Sequence, residues 1–370
     1  MPPRLLLSFG DRSADNILSR ILPILKSRGV EIYGLKGEKT APFVNPLGDI
    51  SDIEATGLVE VIPKIPKVLK TERKLLEFAE REKPDAVLLV DAPGFNLRLL
   101  KKLKNLGVKN VIYFILPQFW AWKEGRKEIL RRFADTLVSI LPFEKKYFEN
   151  YPEVEFHYVG HPSVEILKQT LEESKIPPKP LEDYFVIFPG SRENEIKRHL
   201  KVLTEAVPRA VEEFNVRPVL LTFKRFKKVL KPLRRISKVV YLDENPALGY
   251  LYIKEARFGW IKSGTTAFET ALLGTPHLLF YRVNPITYFV GKKLVKTPWL
   301  HLANITLEEE VVPELIQNRF NPKALIRTTY EILEKEELQR EKFEMLKETL
   351  KGPTDVFSEV ANLVLEKLKG

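Results

Sequence analysis

Residues 184–195 read Tyr184-Phe185-Val186-Ile187-Phe188-Pro189-Gly190-Ser191-Arg192-Glu193-Asn194-Glu195. The first five are strand-forming apolar residues, and apolar residues recur every three to four positions after Ser191, which predicts a strand, a tight glycine turn and a helix that starts at Ser191. Glycine permits the sharp turn, and the free N–H groups of the first helical turn point beyond the strand end. Arg192 adds a cationic fork, so the stretch suits a phosphate or pyrophosphate. An ordinary βα turn with a solvated arginine is the alternative.

The same alternation of short apolar strands and helical patterns runs along the 370 residues of the chain. Two series of strands are predicted from it, at 4–9, 30–34, 86–90, 110–115, 136–140 and 156–159, and at 184–188, 218–222, 239–242, 258–261 and 277–281. Such alternation favours parallel sheets with helices on both faces. We therefore expect an α/β protein of two Rossmann-like, doubly wound domains that face each other across a cleft, followed by a helical C-terminal tail.

The domain boundaries are predicted from a proline-rich segment, Ile176-Pro177-Pro178-Lys179-Pro180. Prolines at this density cannot continue a helix and form a stiff spacer, so residues 166–183 are expected to be the hinge. This assigns residues 1–165 to an N-terminal domain and residues 184–330 to a C-terminal domain. Residues 331–370 carry an apolar stripe at helical spacing and are expected to pack back on the domains. Exchange of this tail within a homodimer is the alternative.

The composition of the chain excludes several kinds of chemistry. The absence of cysteine excludes disulfides, thiolate catalysis and cysteine-ligated metals, and the five histidines show no metal-ligand spacing. No apolar run approaches the roughly 20 residues of a membrane span, and no signal peptide is expected. The net charge of +11 fits an anionic substrate or an anionic membrane surface, whereas no nucleic-acid-binding module is recognisable. We expect neither a metal nor a cofactor.

Two segments of the first half carry candidate site residues. Asp91 follows the strand at 86–90, and a carboxylate there faces the crevice in which parallel sheets bind ligands. It is a candidate general base or ribose anchor, and capping of the next helix is the alternative. Leu116-Pro117-Gln118-Phe119-Trp120-Ala121-Trp122 follows the strand at 110–115. Its flat side chains suit an apolar or sugar-binding pocket, or else they staple a surface loop to the core.

The second half contains another strand, turn and helix in Lys262-Ser263-Gly264-Thr265-Thr266-Ala267-Phe268-Glu269. Hydroxyl and free N–H groups at the helix start can hold diphosphate oxygens. Glu269 lies one turn further, about 6 Å along the helix axis, where a carboxylate can accept both ribose hydroxyls. With the turn at 189–192, this pattern indicates a nucleotide-diphosphate site. A solvated helix face is the alternative for Glu269.

Taken in order, these motifs resemble those of the lipid-A-disaccharide synthase family, glycosyltransferases of the two-Rossmann-domain (GT-B) type. The resemblance runs to about residue 330, through 91–96, 117–122, 141–144, 159–162, 189–192, 263–269, 273–276, 281–282, 294–296, Asn304 and 311–315. It implies an inverting, metal-independent transfer from UDP-2,3-diacylglucosamine to 2,3-diacylglucosamine 1-phosphate (lipid X), with formation of a β(1→6) bond and release of UDP. It also implies a cytoplasmic enzyme, peripheral on the inner face of the cytoplasmic membrane.

The resemblance also implies a role for each matching residue. Asp91 matches the family's proposed base. UDP and its phosphates are expected on Gly190, Ser191, Arg192, Ser263, Gly264, Thr265 and Glu269. The pocket for the acceptor and donor sugars is expected to include Asn96, Gln118, Trp120, Arg282 and Asn304.

A surface for acyl chains and membrane is expected in residues 57–70, where aliphatic side chains are mixed with lysines. Such a segment suits contact with an anionic bilayer. The candidate contact residues are Leu58, Val61, Ile62, Ile65 and Leu69. A buried amphipathic connector is the alternative.

The chain departs from the family pattern in three places. The first turn reads Gly10-Asp11-Arg12-Ser13-Ala14-Asp15, Gly94 stands where the family has a second aspartate, and Glu308-Glu309-Glu310 replaces Gly-Arg-Glu. Lys262 and Arg12 are candidates to replace the missing arginine. Two other functions therefore stay open: a UDP-sugar epimerase-like enzyme of the same fold, and a catalytically weak relative that binds lipid or nucleotide.

Overall fold

The computed structural model describes residues 2–53, 65–174 and 183–369. The chain forms two compact units, of which one comprises Met1–Pro162 and Leu350–Gly370 and the other comprises Ser163–Thr349. The proline-rich segment of the predicted hinge, at 175–182, lies outside the described residues.

In the part of the chain that the structure describes, the first unit contains a sheet of seven parallel strands. These are β1 (Arg4–Phe9), β2 (Glu31–Lys36), β3 (Asn45–Asp49), β4 (Ala86–Val90), β5 (Val111–Phe114), β6 (Thr136–Ser139) and β7 (Glu155–Tyr158). Their order across the sheet is β3-β2-β1-β4-β5-β6-β7. The strand order reverses between β1 and β4, and ligands bind beyond the carboxyl ends of parallel strands at such a reversal. The turns that follow β1 and β4 are therefore in the position expected of a site.

The second unit repeats this architecture with six parallel strands among its described residues. These are β8 (Tyr184–Phe188), β9 (Arg217–Thr222), β10 (Lys238–Tyr241), β11 (Phe258–Lys262), β12 (His277–Tyr281) and β13 (Glu314–Ile316). Their order is β10-β9-β8-β11-β12-β13, so the reversal lies between β8 and β11. The two turns that the sequence predicts to bind phosphate follow these two neighbouring strands.

The helices alternate with the strands along the chain. They are α1 (Arg12–Ser27), α2 (Ile65–Glu82), α3 (Pro93–Asn105), α4 (Gly125–Phe133), α5 (Pro162–Glu173), α6 (Glu193–Phe214), α7 (Lys231–Arg234), α8 (Pro246–Lys254), α9 (Thr265–Leu272), α10 (Pro285–Leu294), α11 (Leu302–Leu307), α12 (Pro322–Glu334), α13 (Glu336–Leu350) and α14 (Val356–Lys367). Short 3₁₀ turns occupy Ile50–Asp52, Pro142–Tyr147, Lys224–Phe226 and Gln317–Arg319. None of the described helices combines the length and apolarity needed to span a bilayer.

The last helix, α14, completes the first unit. It packs against α1, where the Arg20 guanidinium lies 5.7 Å from the centre of the Phe357 ring. The side-chain amide of Asn110 donates to the carbonyl of Lys367 at 3.0 Å, and the Lys367 ammonium pairs with Glu155. The tail is therefore divided, because α13 lies mainly in the second unit and α14 lies in the first.

The α/β class, the two parallel sheets and the helical C-terminal region are confirmed. Four strands begin and end where the sequence predicts, namely β1, β4, β8 and β12. Two strands were not predicted, β3 and β13, and both lie at a sheet edge. Strand β3 contains Pro46 and Gly48, which suppress the strand signal but are tolerated at an edge. The helix predicted to start at Ser191 starts at Glu193.

Candidate active site

Asp91 lies in the turn directly after β4, next to the reversal of strand order. Its φ is +43° and that of Ala92 is +47°, in the left-handed region that costs L-residues energy. The amide of Asn96 and the hydroxyl of Tyr113 hold this turn, because they donate to the Asp91 carbonyl at 2.9 Å and 2.8 Å. The N-cap residue of α3 is Ala92, so the Asp91 side chain does not cap this helix, which was the alternative prediction.

The surroundings of the Asp91 carboxylate raise its pKa above the usual value. Burial raises its pKa to about 6, with a further contribution from the negative charge of Asp11, while a hydrogen bond from the Ala92 N–H and the charge of Arg126 lower it. A general base is most effective when its pKa is close to the working pH. At neutral pH this carboxylate is ionised and yet basic enough to accept a proton.

Asn96 positions Asp91 instead of lining a sugar pocket. Its side chain has no solvent exposure, and its Nδ2 donates to the carbonyls of Val90 at 3.0 Å and Asp91 at 2.9 Å. Its Oδ1 accepts from the Ser8 hydroxyl at 2.7 Å. All polar atoms of the amide are engaged inside the protein, which corrects the predicted pocket role. The bonds tie the end of β4 to β1 and hold the Asp91 turn.

The aromatic loop after β5 is held to the core by one of its rings. Phe119 is fully buried and meets Tyr147 and Phe148 edge-on at 5.2 Å and 5.6 Å between centroids. Gln118 is exposed and Trp120 is half-buried. The loop is therefore attached to the core at Phe119, while the side chain of Gln118 stays at the surface.

Glu144 fixes the orientation of Trp120. The indole Nε1 donates to Glu144 Oε1 at 2.9 Å, and the Ser139 hydroxyl donates to Glu144 Oε2 at 2.5 Å. Burial raises the pKa of Glu144 to about 7, against the effect of these two hydrogen bonds. Sequence reasoning did not assign Glu144 a site role, although it ends the segment 141–144 that carries part of the family resemblance. The sequence signal that could have indicated Glu144 is a charged residue directly after the apolar residues of that segment.

The turn after β8 has the geometry that the sequence predicts for an anion site. Gly190 has φ +136°, and Arg192 is the N-cap residue of α6 without a side-chain cap bond. The Arg192 side chain is 59% exposed, and its Nη1 lies 3.1 Å from Glu195 Oε1. The helix start and an exposed guanidinium therefore occupy the same turn, beyond the carboxyl end of the strand.

His199 holds this turn against the end of β12. Its Nε2 accepts the backbone N–H of Arg282 at 3.0 Å, so its Nδ1 carries the proton and donates to the carbonyl of Pro189 at 2.8 Å. Burial lowers the pKa of His199 to about 4. The neutral ring is a structural link, and sequence reasoning missed it because His199 shows only as one position in a helical pattern.

The turn after β11 contains the second predicted anion site. Gly264 has φ +148°, Gly264 and Thr265 are exposed, and Ser263 is half-buried. Glu269 is half-buried one turn into α9, where the Tyr250 hydroxyl donates to its Oε1 at 3.2 Å. Burial raises the pKa of Glu269 to about 7.

Two residues predicted to line the sugar pocket form hydrogen bonds with the backbone of the second unit. The Arg282 guanidinium donates to the carbonyls of Phe320 at 2.5 Å and Gln317 at 3.2 Å. Asn304 is fully buried, and its amide bonds the backbone of Val312 in both directions at 2.8 Å. The buried Asn304 amide therefore has a structural role, which corrects its predicted pocket role, whereas the half-buried Arg282 uses only its Nη2 in these bonds and its pocket role stays a prediction.

The predicted acyl and membrane segment is only partly described. Ile65 and Leu69, at the start of α2, are 44% and 47% exposed, which argues against the buried-connector alternative for these two residues. Leu58, Val61 and Ile62 lie outside the described residues.

Comparisons with a protein-family model and with individual proteins give the same result for this chain. Residues 5–365 match the family model described as Lipid-A-disaccharide synthetase. The chain is 38% identical over 366 residues to the lipid-A-disaccharide synthase of Aquifex aeolicus (strain VF5), covering 98% of this chain and 99% of that protein. It is 35% identical over 390 residues to that of Sulfurihydrogenibium sp. (strain YO3AOP1), again covering 98% and 99%.

A solved structure supports the fold. The UDP-GlcNAc 2-epimerase from Neisseria meningitidis bound to UDP-GlcNAc aligns with a TM-score of 0.64 at 14% identity and covers 99% of both chains. At this identity the likeness shows the architecture alone.

Proposed function

The chain belongs to the lipid-A-disaccharide synthetase family and is a glycosyltransferase of lipid A biosynthesis, and from this premise we propose how its residues divide the reaction. The donor is UDP-2,3-diacylglucosamine, the acceptor is 2,3-diacylglucosamine 1-phosphate, and the products are the β(1→6)-linked disaccharide 1-phosphate and UDP. The first unit supplies the base and the second unit holds the donor's nucleotide.

Asp91 is the general base of this proposal. Its ionised carboxylate takes the proton of the acceptor hydroxyl while that oxygen bonds to the anomeric carbon of the donor. The bond from the anomeric carbon to the diphosphate oxygen breaks on the opposite face, its electron pair leaves with UDP, and the configuration inverts. The observation that carries this role is the half-buried, strained turn that holds Asp91 beside the strand reversal, with its pKa raised to about 6.

The UDP site of the proposal consists of the turns after β8 and β11. Gly190, Ser191 and Arg192 at one turn and Ser263, Gly264 and Thr265 at the other direct helix N–H groups, hydroxyls and a guanidinium toward the diphosphate. Glu269 accepts the ribose hydroxyls. Support comes from the exposed Arg192 and Thr265 side chains and from the position of both turns beside the reversal between β8 and β11.

Gln118 and Trp120 are proposed to contact the sugars of the substrates. Gln118 is exposed, and the indole of Trp120 is half-buried and fixed through its Nε1 by Glu144. A flat ring held in one orientation can pack against a pyranose face, and an exposed amide can bond its hydroxyls.

The lipid tails are proposed to stay near the bilayer on the first residues of α2. Ile65 and Leu69 are exposed there, with Lys67 and Lys70 in the same turns. Such a mixture favours an anionic membrane surface. The cytoplasmic, inner-face location belongs to the same proposal.

Helix α10 also combines exposed apolar side chains with lysines. Phe289 and Leu294 are 61% and 55% exposed, Lys292 and Lys293 lie beside them, and residues 282–307 contain no acidic side chain. This helix is a second proposed site of membrane contact, in the second unit. Burial of the same faces in a homodimer would instead appear as a concentration-dependent mass in sedimentation experiments.

Mass spectrometry of the products tests the proposed function. The purified protein, given UDP-2,3-diacylglucosamine and lipid X, is expected to yield the disaccharide 1-phosphate and UDP in equal amounts. An isomerised donor with no consumption of lipid X would indicate an epimerase. UDP binding without any product would indicate a catalytically weak relative.

A further inference from the structure

Two cations from different turns of the second unit converge on one buried carboxylate. Lys262, the last residue of β11, places its Nζ 3.1 Å from Glu195 Oε1, and Arg192 places its Nη1 3.1 Å from the same oxygen. The Lys262 and Glu195 side chains are 9% and 6% exposed, whereas that of Arg192 is 59% exposed. The turns after β8 and β11 are thereby joined by a charge cluster that the sequence did not reveal.

The cluster lies directly beneath both glycine turns. A Cβ atom placed on Gly264 would lie 3.8 Å from the Lys262 ammonium, and one placed on Gly190 would lie 3.3 Å from Glu195 Oε2. The Lys262 ammonium therefore lies close to the exposed Gly264, and the Glu195 carboxylate lies close to the buried Gly190.

The charges in this cluster do not balance. Arg192 and Lys262 carry two positive charges and Glu195 carries one negative charge. Glu195 Oε2 is buried without a hydrogen-bond partner among the described residues. The Tyr281 ring lies 5.1 Å from the Lys262 ammonium and adds only a weak cation–π attraction. Lys262 and Glu195 compensate each other inside the protein, so the surplus positive charge of the cluster is that of the exposed Arg192, and it favours an anion at the two turns.

We propose that Lys262 is a second cation of the diphosphate site and acts together with Arg192 on the phosphate that leaves. This inference rests on the proposed function, in which the two turns hold UDP. Negative charge grows on the β-phosphate as its bond to the anomeric carbon breaks. A cation that is already desolvated and held by Glu195 stabilises that charge without reorganisation. Lys262 lies at the end of a strand, so its position is fixed more firmly than that of the exposed Arg192.

The test is calorimetry with uridine, UMP and UDP on the full chain. Lys262→Met keeps the length of the side chain and removes the charge, and Lys347→Met, in a surface pair with Glu344 in α13, is the matched control. We expect Lys262→Met to weaken UDP binding by roughly 10- to 100-fold, to weaken UMP binding less and to leave uridine binding unchanged. The control should leave all three affinities unchanged.

A second variant covers the case in which Lys262→Met fails to fold because Glu195 loses its buried partner and keeps only the exposed Arg192. Lys262→Met with Glu195→Gln removes both buried charges and is expected to fold and to show the same phosphate-dependent loss. An unchanged ratio of UDP to uridine affinity in either folded variant overturns the inference. A wild-type protein that fails to bind UDP overturns the proposed function, and the inference with it.

Discussion

The side-chain amide of Asn96 donates a hydrogen bond of 2.9 Å to the main-chain carbonyl of Asp91. Through the same amide, Asn96 also holds Val90 at the end of β4 and the Ser8 hydroxyl on β1. The two strands on either side of the reversal are therefore linked by one buried side chain, which maintains the left-handed turn that presents the carboxylate.

Asn96→Ala is expected to lower kcat about 10- to 100-fold with little change in KM, because the base remains but its turn relaxes. The free energy of unfolding should fall by about 1–3 kcal/mol, since the change leaves buried groups without partners. Steady-state kinetics and denaturant unfolding measure both effects. Unchanged kcat in a folded variant would show that the Asp91 turn holds its shape without Asn96.

The activity should depend on pH through Asp91. The carboxyl must be ionised to accept a proton, and its pKa is raised to about 6, so kcat/KM should fall as the pH decreases through about 6. The pH profile of kcat/KM from pH 5 to 8 measures this. A flat profile across that range would exclude a base with this pKa.

Two charge-removing variants should shift the acid limb of the kcat/KM profile, the pH range in which kcat/KM falls, in opposite directions. Asp11→Asn removes a negative charge that raises the Asp91 pKa, so the limb should move to lower pH. Asparagine is also a good N-cap, so the bond from the Ala14 N–H, 2.8 Å in the wild type, can be kept. Arg126→Gln removes a positive charge that lowers the same pKa, and its limb should move to higher pH. Shifts in the same direction would contradict this electrostatic account.

Glu269→Ala is expected to weaken uridine, UMP and UDP by the same factor, roughly 10- to 100-fold, because all three share the ribose that the carboxylate accepts. Calorimetry on the three ligands gives this factor. Tyr250→Phe, which removes the 3.2 Å bond to Glu269 and keeps its carboxylate, serves as the control and should have a much smaller effect. A loss confined to UDP would place Glu269 on the phosphates instead.

Removal of the exposed apolar side chains should weaken membrane binding. The double change Ile65→Ser and Leu69→Ser, or Phe289→Ser and Leu294→Ser, should lower partitioning onto anionic phospholipid vesicles at least about tenfold, because each large side chain contributes about 1.5–3 kcal/mol when buried. Leu338→Ser with Met345→Ser, which are 51% and 53% exposed, is the control. Equal binding by all variants in a vesicle co-sedimentation assay would remove both helices from the membrane surface.

The sequence predicted the features that depend on local pattern. Buried strands such as β4 and β8 are continuous apolar runs between turn residues, and the glycine turns at Gly190 and Gly264 are visible from the residue type alone. Strand β3 was missed because it is an edge strand whose proline and glycine mask its pattern.

The roles of polar side chains could not be predicted in the same way, because they depend on which elements meet in space. Asn96 and Asn304 match the family's motifs, yet the side-chain amides of both form hydrogen bonds with backbone groups inside the protein. Arg282 is bound by carbonyls near β13, a strand that the sequence did not indicate. The pair of Lys262 and Glu195 joins two separate turns, and no periodicity links them.

Replacement of Asp91 by asparagine tests the central claim most directly. Asparagine tolerates the left-handed backbone at this position, so the change removes the base without disturbing the turn. We expect Asp91→Asn to unfold at the same temperature as the wild type, to bind UDP with the same affinity, and to lose on the order of 10³ in the rate of disaccharide formation. Full turnover by this variant, with the asparagine verified by intact mass, would contradict the account.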